Sequence, residues 1–243
     1  MDLLVIDVGN TSVSVGRFSA GEVSGVFRLP TRFDAPPALP GEGIAGVAIA
    51  SVVPEANAPW RAAVVAAGLP EPLFVRHDLD LGVGIDYPAP ETIGADRLAN
   101  AAAAARLAGC PSVVCDFGTA LTFDVLDAER GYVGGVICPG LPLMFDYLAE
   151  KTALLPHVEP TWNVAAYGRS TEEAMQVGAR AGYRGMVREV LAGIRRELNA
   201  PDLPLLCTGG YAGKIFEAWD VPALVDPLLT LRGIGLIAER NLA

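Results

Sequence analysis

The same short pattern occurs twice in this chain, and it constrains the fold more than any other feature. Near the N-terminus a short apolar run leads into Asp7-Val-Gly9, and 109 positions later a second run leads into Asp116-Phe-Gly118. Each copy continues with a small polar residue and then an alternating stretch, which is typical of a half-buried strand. The pattern predicts two hairpins, each with an aspartate held at its turn.

The glycines and acids of these turns indicate what they bind. Because glycine adopts backbone angles closed to other residues, Gly9 and Gly118 are expected to reverse the chain and aim amide groups at an anion such as phosphate. Asn10, Thr11 and Thr119 add short polar side chains. A carboxylate repels phosphate, so a cation between them is implied. The repeat predicts a metal–phosphate clamp and favours an ATP-dependent phosphotransferase over two ordinary Asp-x-Gly turns.

Composition excludes several other classes of protein. The chain has 243 residues, a net charge of −10 and no Lys/Arg-rich run, so nucleic acid and anionic membrane surfaces are poor partners. The longest uncharged stretch, Gly131–Phe145, is broken by glycines and prolines and cannot span a bilayer. His77 and His157 are the only histidines, which argues against a histidine-based zinc site or a Ser-His-Asp triad. The four cysteines lack Cys-x-x-Cys spacing, so we expect buried, reduced thiols in a cytoplasmic protein.

The repeat extends beyond the two turns. After the first hairpin, strands are predicted at Glu22–Leu29, Val47–Val53, Leu73–Arg76, Ser112–Asp116, Leu121–Leu126, Tyr132–Cys138, Leu203–Cys207 and Ala223–Val225, with helices at Asn57–Ala67, Asp96–Leu107, Ser170–Leu198 and from Thr230, and a Pro-rich loop at Ala35–Pro40. Each half is interpreted as three strands, helix, strand, helix, strand, helix, and the chain is divided into halves 1–109 and 110–243. This duplicated α/β plan predicts the actin-like, ribonuclease-H-like ATPase fold, with mixed sheets flanked by helices and an active-site cleft between the halves.

Three further segments have both a functional and a purely structural interpretation. Gly94-Ala-Asp-Arg97 opens a helix, where Asp96 is stabilised and Arg97 offers a planar fork for an anion, although a plain helix cap also fits. The glycines of Gly134–Gly140 indicate close approach of a ligand or another backbone, or else a bulge. Thr208-Gly-Gly210 suits an adenosine or phosphate group, or an ordinary strand–helix turn. Thr171 either contacts a substrate or helps to cap its helix.

Taken together, these segments resemble type III pantothenate kinases. The resemblance rests on Asp7-Val-Gly-Asn-Thr11, Tyr87, Gly94-Ala-Asp-Arg97, Asp116-Phe-Gly-Thr-Ala120, Gly134-Gly-Val-Ile-Cys-Pro-Gly140, Gly168-Arg-Ser-Thr171 and Thr208-Gly-Gly210, which occur in the family's order and cover essentially the whole chain. It implies ATP-dependent phosphorylation of pantothenate to 4′-phosphopantothenate, the first step of coenzyme A biosynthesis. It also implies a homodimer with active sites near the subunit interface.

The resemblance implies a role for individual residues. The ATP phosphates would lie against Asp7, Val8, Gly9, Asn10, Thr11, Ser12, Val13 and Ser14, with Thr119 as a second nucleotide contact. Asp116 would hold an activating monovalent cation, K⁺ or NH₄⁺, and Mg²⁺ would accompany ATP. Pantothenate would contact Tyr87, Gly94, Ala95, Asp96, Arg97 and Thr171, with Asp96 as the catalytic base and Arg97 orienting the substrate.

Two other functions are compatible with the turns. Another small-molecule kinase or phosphatase of the same fold would share the phosphate turns, but it would not require Gly94–Arg97 together with Tyr87. A non-catalytic regulatory relative would keep the fold and act on partner proteins. The intact acids at positions 7, 96 and 116 argue against that second alternative.

Overall fold

In the part of the chain that the structure describes, two five-stranded sheets and six α-helices form the framework. The computed structural model describes residues 1–35, 37–161, 165–217 and 219–242. The strands are β1 Leu3–Val8, β2 Ser12–Ser19, β3 Glu22–Pro30, β4 Gly46–Ser51, β5 Leu73–Phe74, β6 Ser112–Phe117, β7 Ala120–Asp127, β8 Gly131–Pro139, β9 Leu205–Thr208 and β10 Leu224–Val225. The helices are α1 Pro54–Ala66, α2 Ala95–Leu107, α3 Leu141–Lys151, α4 Thr171–Glu197, α5 Ala212–Phe216 and α6 Leu229–Asn241.

The chain divides into two compact units that do not follow the sequence halves. The first unit comprises Met1–Ser112, Leu126–Gly134 and Leu228–Ala243, and the second comprises Val113–Val125 and Gly135–Pro227. The C-terminal helix therefore belongs to the first unit. The division of the sequence at 109/110 stays a prediction about the repeat.

The first sheet places the acid of the first turn at the end of its central strand. Its strand order is β3-β2-β1-β4-β5. β1 pairs antiparallel with β2, which sets Asp7 opposite Ser14, and parallel with β4, which sets Asp7 opposite Ala50. All residues of β1 except Asp7 are buried. The central strand is thus held by apolar burial on both faces, as expected for a strand inside a mixed sheet.

Close approach of α2 and α6 closes the first unit. A Cβ at Gly233 of α6 would overlap the Ala99 carbonyl of α2, and a Cβ at Gly235 would overlap the Phe18 ring of β2. The buried Thr230 hydroxyl donates to Oδ1 of Asn100 at 2.9 Å. Glycine at positions 233 and 235 permits α6 to approach α2 and β2 this closely. In this position α6 completes the core over β1, β2 and β4.

The second sheet repeats the arrangement of the first around the second turn. Its order is β10-β9-β6-β7-β8, and β6 pairs parallel with β9, which sets Asp116 opposite Thr208. The long helix α4 buries Met175, Ala179, Tyr183, Val187 and Leu191, so the residues of its buried apolar face are spaced four apart. The predicted face from Val187 onward is thus the C-terminal part of a longer stripe.

The predicted plan of the halves is confirmed in the second half and wrong in the first. The second half places α3 and α4 between β8 and β9, then α5, β10 and α6. In the first half, residues 31–35 and 37–45 contain no helix. Pro37 and Pro40 lack the backbone donors that a helix interior needs, so the predicted Pro-rich loop forms there; Pro36 lies outside the described residues.

The prediction of four buried thiols is correct for only two cysteines. Cys115 and Cys207 are buried opposite each other on β6 and β9, whereas Cys138 is half-buried and Cys110 is exposed. Cys110 lies in the turn after α2, where the chain has left the core. Within the described parts of the chain, no helix is both long and apolar enough to cross a bilayer.

Candidate active site

The first Asp-x-Gly turn is a tight hairpin tied to its neighbours by backbone hydrogen bonds. The Gly9 amide donates to the Ser12 carbonyl at 3.2 Å. The Thr31 hydroxyl donates to the Gly9 carbonyl at 2.7 Å, and the Val52 amide donates to the Val8 carbonyl at 3.1 Å. The turn between β1 and β2 is therefore fixed from both sides, which favours a preorganised binding loop.

The reason predicted for the turn glycines is wrong. Neither Gly9 nor Gly118 has a positive φ. Their amides close the turns, since Gly9 donates to Ser12 and Gly118 donates to the Ala120 carbonyl at 3.1 Å. Space at Gly9 is restricted instead, because a Cβ there would lie 3.1 Å from the Ser12 carbonyl oxygen, a contact that only a small shift of the turn would relieve. If a phosphate group binds at these turns, amides other than those of Gly9 and Gly118 would have to donate hydrogen bonds to it.

The residues of the first turn that are predicted to bind ATP differ in their solvent exposure. Asn10 and Thr11 are exposed, and Asp7, Gly9, Ser12 and Ser14 are half-buried. Val8 and Val13 have their side chains in the core, at 1% and 0% exposure. These two valines can therefore contact a nucleotide through their backbone only.

The second turn is enclosed by two glycine segments that lie far from it in sequence. Gly209 has φ +89°, and a Cβ there would lie 2.6 Å from Oδ1 of Asp116. A Cβ at Gly140 would overlap the Thr119 carbonyl. The Tyr211 amide donates to the Phe117 carbonyl at 3.3 Å. The second unit thus brings Asp116, Thr119 and both glycine segments together. Close approach of another backbone, one of the alternatives predicted for Gly134–Gly140, is confirmed at Gly140.

Asp96 lies in the first turn of α2 with its carboxyl group folded over Gly94. Gly94 is the N-cap residue, and a Cβ there would lie 2.6 Å from Oδ1 of Asp96. The same oxygen accepts a hydrogen bond from the Arg97 amide at 2.8 Å. Burial raises the pKa of the Asp96 carboxyl above its ordinary value, although the Arg97 amide and guanidinium pull that pKa downward. The cap is therefore glycine, and Asp96 is a desolvated, oriented carboxyl group of the kind that accepts protons.

Tyr87 and Arg97 both pack against the ring of one buried tyrosine, Tyr132. The Tyr87 ring is 6.0 Å from the Tyr132 ring, centroid to centroid, and Cζ of Arg97 lies 5.8 Å from the Tyr132 ring centroid. Gly134 faces the Tyr87 ring, since a Cβ there would lie at van der Waals distance, 3.6 Å, from Cε2 of Tyr87. The first unit thus brings Tyr87, Gly94, Asp96 and Arg97 into one region. The sequence predicts Tyr132 only as a strand residue, and nothing in its local pattern distinguishes it.

Ala95 has its side chain in the core, so only its backbone is available to a substrate. A cavity of about 680 Å³ in the first unit reaches Gly94 and Ala95. Its other lining residues are Ser51, Asn57, Ala58, Arg61, Phe74, Val75, Arg76, His77, Glu91 and Ile93. That volume falls within the range of small-molecule pockets.

Thr171 is exposed at the start of α4 in the second unit. The first half of the predicted capping box is confirmed, since Oγ of Ser170 accepts from the Glu173 amide at 3.1 Å. The return bond differs from the usual box, because Oε2 of Glu173 accepts from the amide of Arg169, one residue before the N-cap, at 2.6 Å. The N-cap is therefore Ser170. Because the side chain of Ser170 caps the helix, Thr171 is not needed for that role.

The described residues contain no group of three or more His, Cys, Asp or Glu side chains that would hold a metal ion by itself. Magnesium in phosphotransfer sites needs only one or two carboxylates, because phosphate oxygens and water complete its octahedron. The half-buried Asp7 at the end of β1 and the half-buried Asp116 at the end of β6 each meet that requirement within their own unit, and carboxylate and backbone oxygens also suit a monovalent cation.

Comparison with known proteins identifies the family. The family model for type III pantothenate kinase matches residues 3–193. A type III pantothenate kinase from Akkermansia muciniphila is 51% identical over 169 residues, covering 70% of this chain and 69% of its own. Those from Methylacidiphilum infernorum and Thermomicrobium roseum are each 38% identical over 98% of this chain, covering 88% and 97% of their own lengths.

Solved structures share the fold at much lower identity. A protein from Campylobacter jejuni assigned to the Baf family of transcriptional activators has a TM-score of 0.61 and 18% identity, with 97% of each chain covered. The Alp12 filament protein has a TM-score of 0.51 and 10% identity, with 98% of each chain covered. These likenesses concern the fold alone, and they confirm the predicted duplicated ribonuclease-H-like, actin-like class. By its sequence, this chain belongs to the type III pantothenate kinase family.

Proposed function

We propose that this protein transfers the γ-phosphoryl group of ATP to the primary hydroxyl of pantothenate, forming 4′-phosphopantothenate in the first step of coenzyme A biosynthesis. The observation that carries the proposal is the family match over residues 3–193, within which Asp96 is a half-buried, oriented carboxyl group whose pKa is raised by desolvation. Phosphoryl transfer needs alignment and charge neutralisation more than covalent chemistry. The residues are assigned roles on that basis.

The first turn is proposed to hold the ATP phosphates. Asn10 and Thr11 present exposed polar groups, and Ser12 and Ser14 present half-buried ones. Val8 and Val13 contribute through their backbone, because their side chains are in the core. Magnesium bound with ATP would supply charge neutralisation at the γ-phosphate, with Asp7 as the nearest carboxylate of this turn.

Asp96 is proposed as the general base. It accepts the proton of the substrate hydroxyl while that oxygen attacks the γ-phosphorus and the bond to the leaving ADP oxygen breaks. The Arg97 amide fixes the carboxyl orientation through Oδ1. Arg97 would pair with the substrate carboxylate, and Tyr87, the backbone of Gly94 and Ala95, and Thr171 would supply the remaining contacts. A desolvated carboxylate is a stronger base than an exposed one, which suits it to this step.

Asp116 is proposed to hold the activating monovalent cation, K⁺ or NH₄⁺, with Thr119 as a second nucleotide contact. The support is the packing of Gly209 and Gly140 against this turn, which leaves space for backbone and carboxylate oxygens but for few side chains. We expect Asp116→Asn to abolish stimulation of turnover by KCl. Activation by KCl that is unchanged in this variant would contradict the assignment.

A homodimer is part of the proposal. In the second unit, Leu143 and Tyr147 are exposed one turn apart on α3, and Ile137 of β8 is also exposed. Exposed large apolar side chains of this kind are typical of interfaces. Sedimentation of the wild type should give a dimer, and Tyr147→Glu should weaken it. A cytoplasmic location is also proposed, since the cysteines are free thiols.

One assay tests the activity directly. ADP release is measured by a coupled assay with pantothenate, with sugars and other alcohols, with and without KCl, and with and without MgCl₂. We expect release only with pantothenate, and product mass should rise by one phosphoryl group. Equal or greater release with a sugar would instead indicate another kinase of the same fold. No pantothenate-dependent release under any cation would defeat the proposal.

A further inference from the structure

Tyr132 is a fully buried tyrosine at the start of β8. Its side chain is 0% exposed, and it is among the largest fully buried side chains of the protein. It lies outside every segment that carries the family resemblance. It nevertheless contacts Tyr87 and Arg97, the two residues that would bind pantothenate in the proposed function.

The backbone of Tyr132 holds the segment that precedes Tyr87. The Tyr132 amide donates to the Gly84 carbonyl at 2.8 Å, and the Asp86 amide donates to the Tyr132 carbonyl at 2.9 Å, forming a parallel bridge with Ile85. Gly131 permits this bridge, since it has φ +75° and a Cβ there would overlap the Gly84 carbonyl. The loop leading to Tyr87 is therefore attached to β8 by two hydrogen bonds at a fixed register.

The ring of Tyr132 contacts both Tyr87 and Arg97. Tyr87 meets it edge-on, with ring planes at 66°, and the Arg97 guanidinium lies within cation–π range of it. Both contacts use the aromatic ring. A flexible arginine and a loop tyrosine would otherwise lose conformational freedom on binding a small anionic substrate, which weakens binding.

We propose that Tyr132 is a positioning residue for pantothenate: its ring holds the Tyr87 ring and the Arg97 guanidinium in their binding arrangement before substrate arrives. The inference rests on the proposed function, in which Tyr87 and Arg97 contact pantothenate. Tyr132 itself acts through these two residues. Loss of the Tyr132 ring should therefore weaken the binding of pantothenate and leave the binding of ATP unchanged.

Steady-state kinetics of three variants test the proposal. Tyr132→Leu removes the aromatic face and should raise KM for pantothenate about tenfold, while KM for ATP stays within about twofold. Tyr132→Phe keeps the ring and should leave KM for pantothenate within about threefold of the wild type. Phe18→Leu is the matched control, because Phe18 is also a fully buried aromatic residue of the first unit. It should lower the melting temperature without changing the ratio of the two KM values.

Several outcomes would overturn the inference. If Tyr132→Leu lowers kcat and changes both KM values as Phe18→Leu does, Tyr132 is a core residue only. If Tyr132→Phe raises KM for pantothenate as much as Tyr132→Leu, the ring is not what matters. If Tyr132→Leu does not fold, Tyr132→Met replaces it, and failure of both to fold also rejects a specific positioning role.

Arg97→Gln separates failure of this inference from failure of the proposed function. Should Arg97→Gln leave KM for pantothenate unchanged, the proposed role of Arg97 itself fails. Should Arg97→Gln raise KM while Tyr132→Leu does not, only the positioning role fails. In the double variant, the two effects on KM should be less than additive, because Tyr132 acts partly through Arg97.

Discussion

At the scale of single residues, the desolvation that suits Asp96 to its proposed role as a base also lowers the stability of the folded protein. The carboxyl group of Asp96 is half-buried beside Gly94 and oriented by the Arg97 amide. Burial disfavours the charged form and raises the pKa of Asp96. The same desolvation that makes the carboxylate a better proton acceptor makes the folded, ionised protein less stable than it would be without that charge.

The first prediction concerns activity. Asp96→Asn removes the proton acceptor and should lower kcat by about 10²–10⁴-fold, with KM for ATP little changed. In the wild type, kcat should fall as pH drops through the raised pKa of Asp96, because the base must be ionised. The coupled ADP-release assay over a pH series measures both effects. Near-normal turnover of Asp96→Asn would remove Asp96 from the role of base.

The second prediction concerns stability. Below the pKa of Asp96 in the unfolded chain, both states carry the proton and burial costs nothing. As pH rises from there through the raised pKa of the folded state, the unfolded state ionises first and the wild type loses stability. Asp96→Asn should therefore melt at a higher temperature than the wild type at neutral pH, and the difference should shrink in acid. A variant that melts lower at neutral pH would contradict this explanation.

At the scale of elements, the second turn depends on a glycine from another strand. Gly209→Ala adds a Cβ 2.5 Å from the Phe117 carbonyl carbon at φ +89°, so it should cost about 2 kcal/mol or more of the free energy of unfolding. Gly210→Ala is the matched control in the same turn, where a Cβ would meet nothing within 4 Å. Urea unfolding of both variants measures the difference, and equal costs would show that the contact with β6 does not matter.

At the start of α4, variants of two neighbouring residues distinguish helix capping from substrate binding. Ser170→Ala removes the side chain that accepts from the Glu173 amide and should cost about 1 kcal/mol of stability. Thr171→Ala should leave stability nearly unchanged but raise KM for pantothenate if the proposed contact is correct. Thermal unfolding and kinetics of the two variants make the comparison. A loss of stability in Thr171→Ala equal to that of Ser170→Ala would place both residues in the cap.

At the scale of the whole molecule, the C-terminal helix is packed against elements from the start of the chain. Gly233→Ala would force a Cβ into the Ala99 carbonyl of α2 and should cost about 2 kcal/mol or more of stability. Gly182→Ala, inside α4 with open space around it, should instead stabilise the protein by about 0.5–1 kcal/mol. Urea unfolding distinguishes the two, and a stabilising Gly233→Ala would mean that α2 and α6 do not approach so closely.

The sequence by itself determined the features that arise from local interactions. The two hairpins, the Ser170 capping box and the alternating strands depend on residues within a few positions of one another, so their patterns are visible in the chain. The family resemblance likewise follows from short motifs in a fixed order, and the family match confirms it. The candidate residues at 7, 96 and 116 were found in this way.

Only the tertiary structure decided which distant groups meet. The conformation of Gly9, the placing of α6 on the first unit, the burial that shifts the pKa of Asp96, and the contacts of Tyr132 with Tyr87 and Arg97 all depend on backbone and side chains far away in sequence. Desolvation and steric exclusion are properties of the packed surroundings and are set by neighbours that no local pattern specifies. The duplicated turn thus indicated phosphate chemistry from the sequence alone, whereas packing decided what its glycines do.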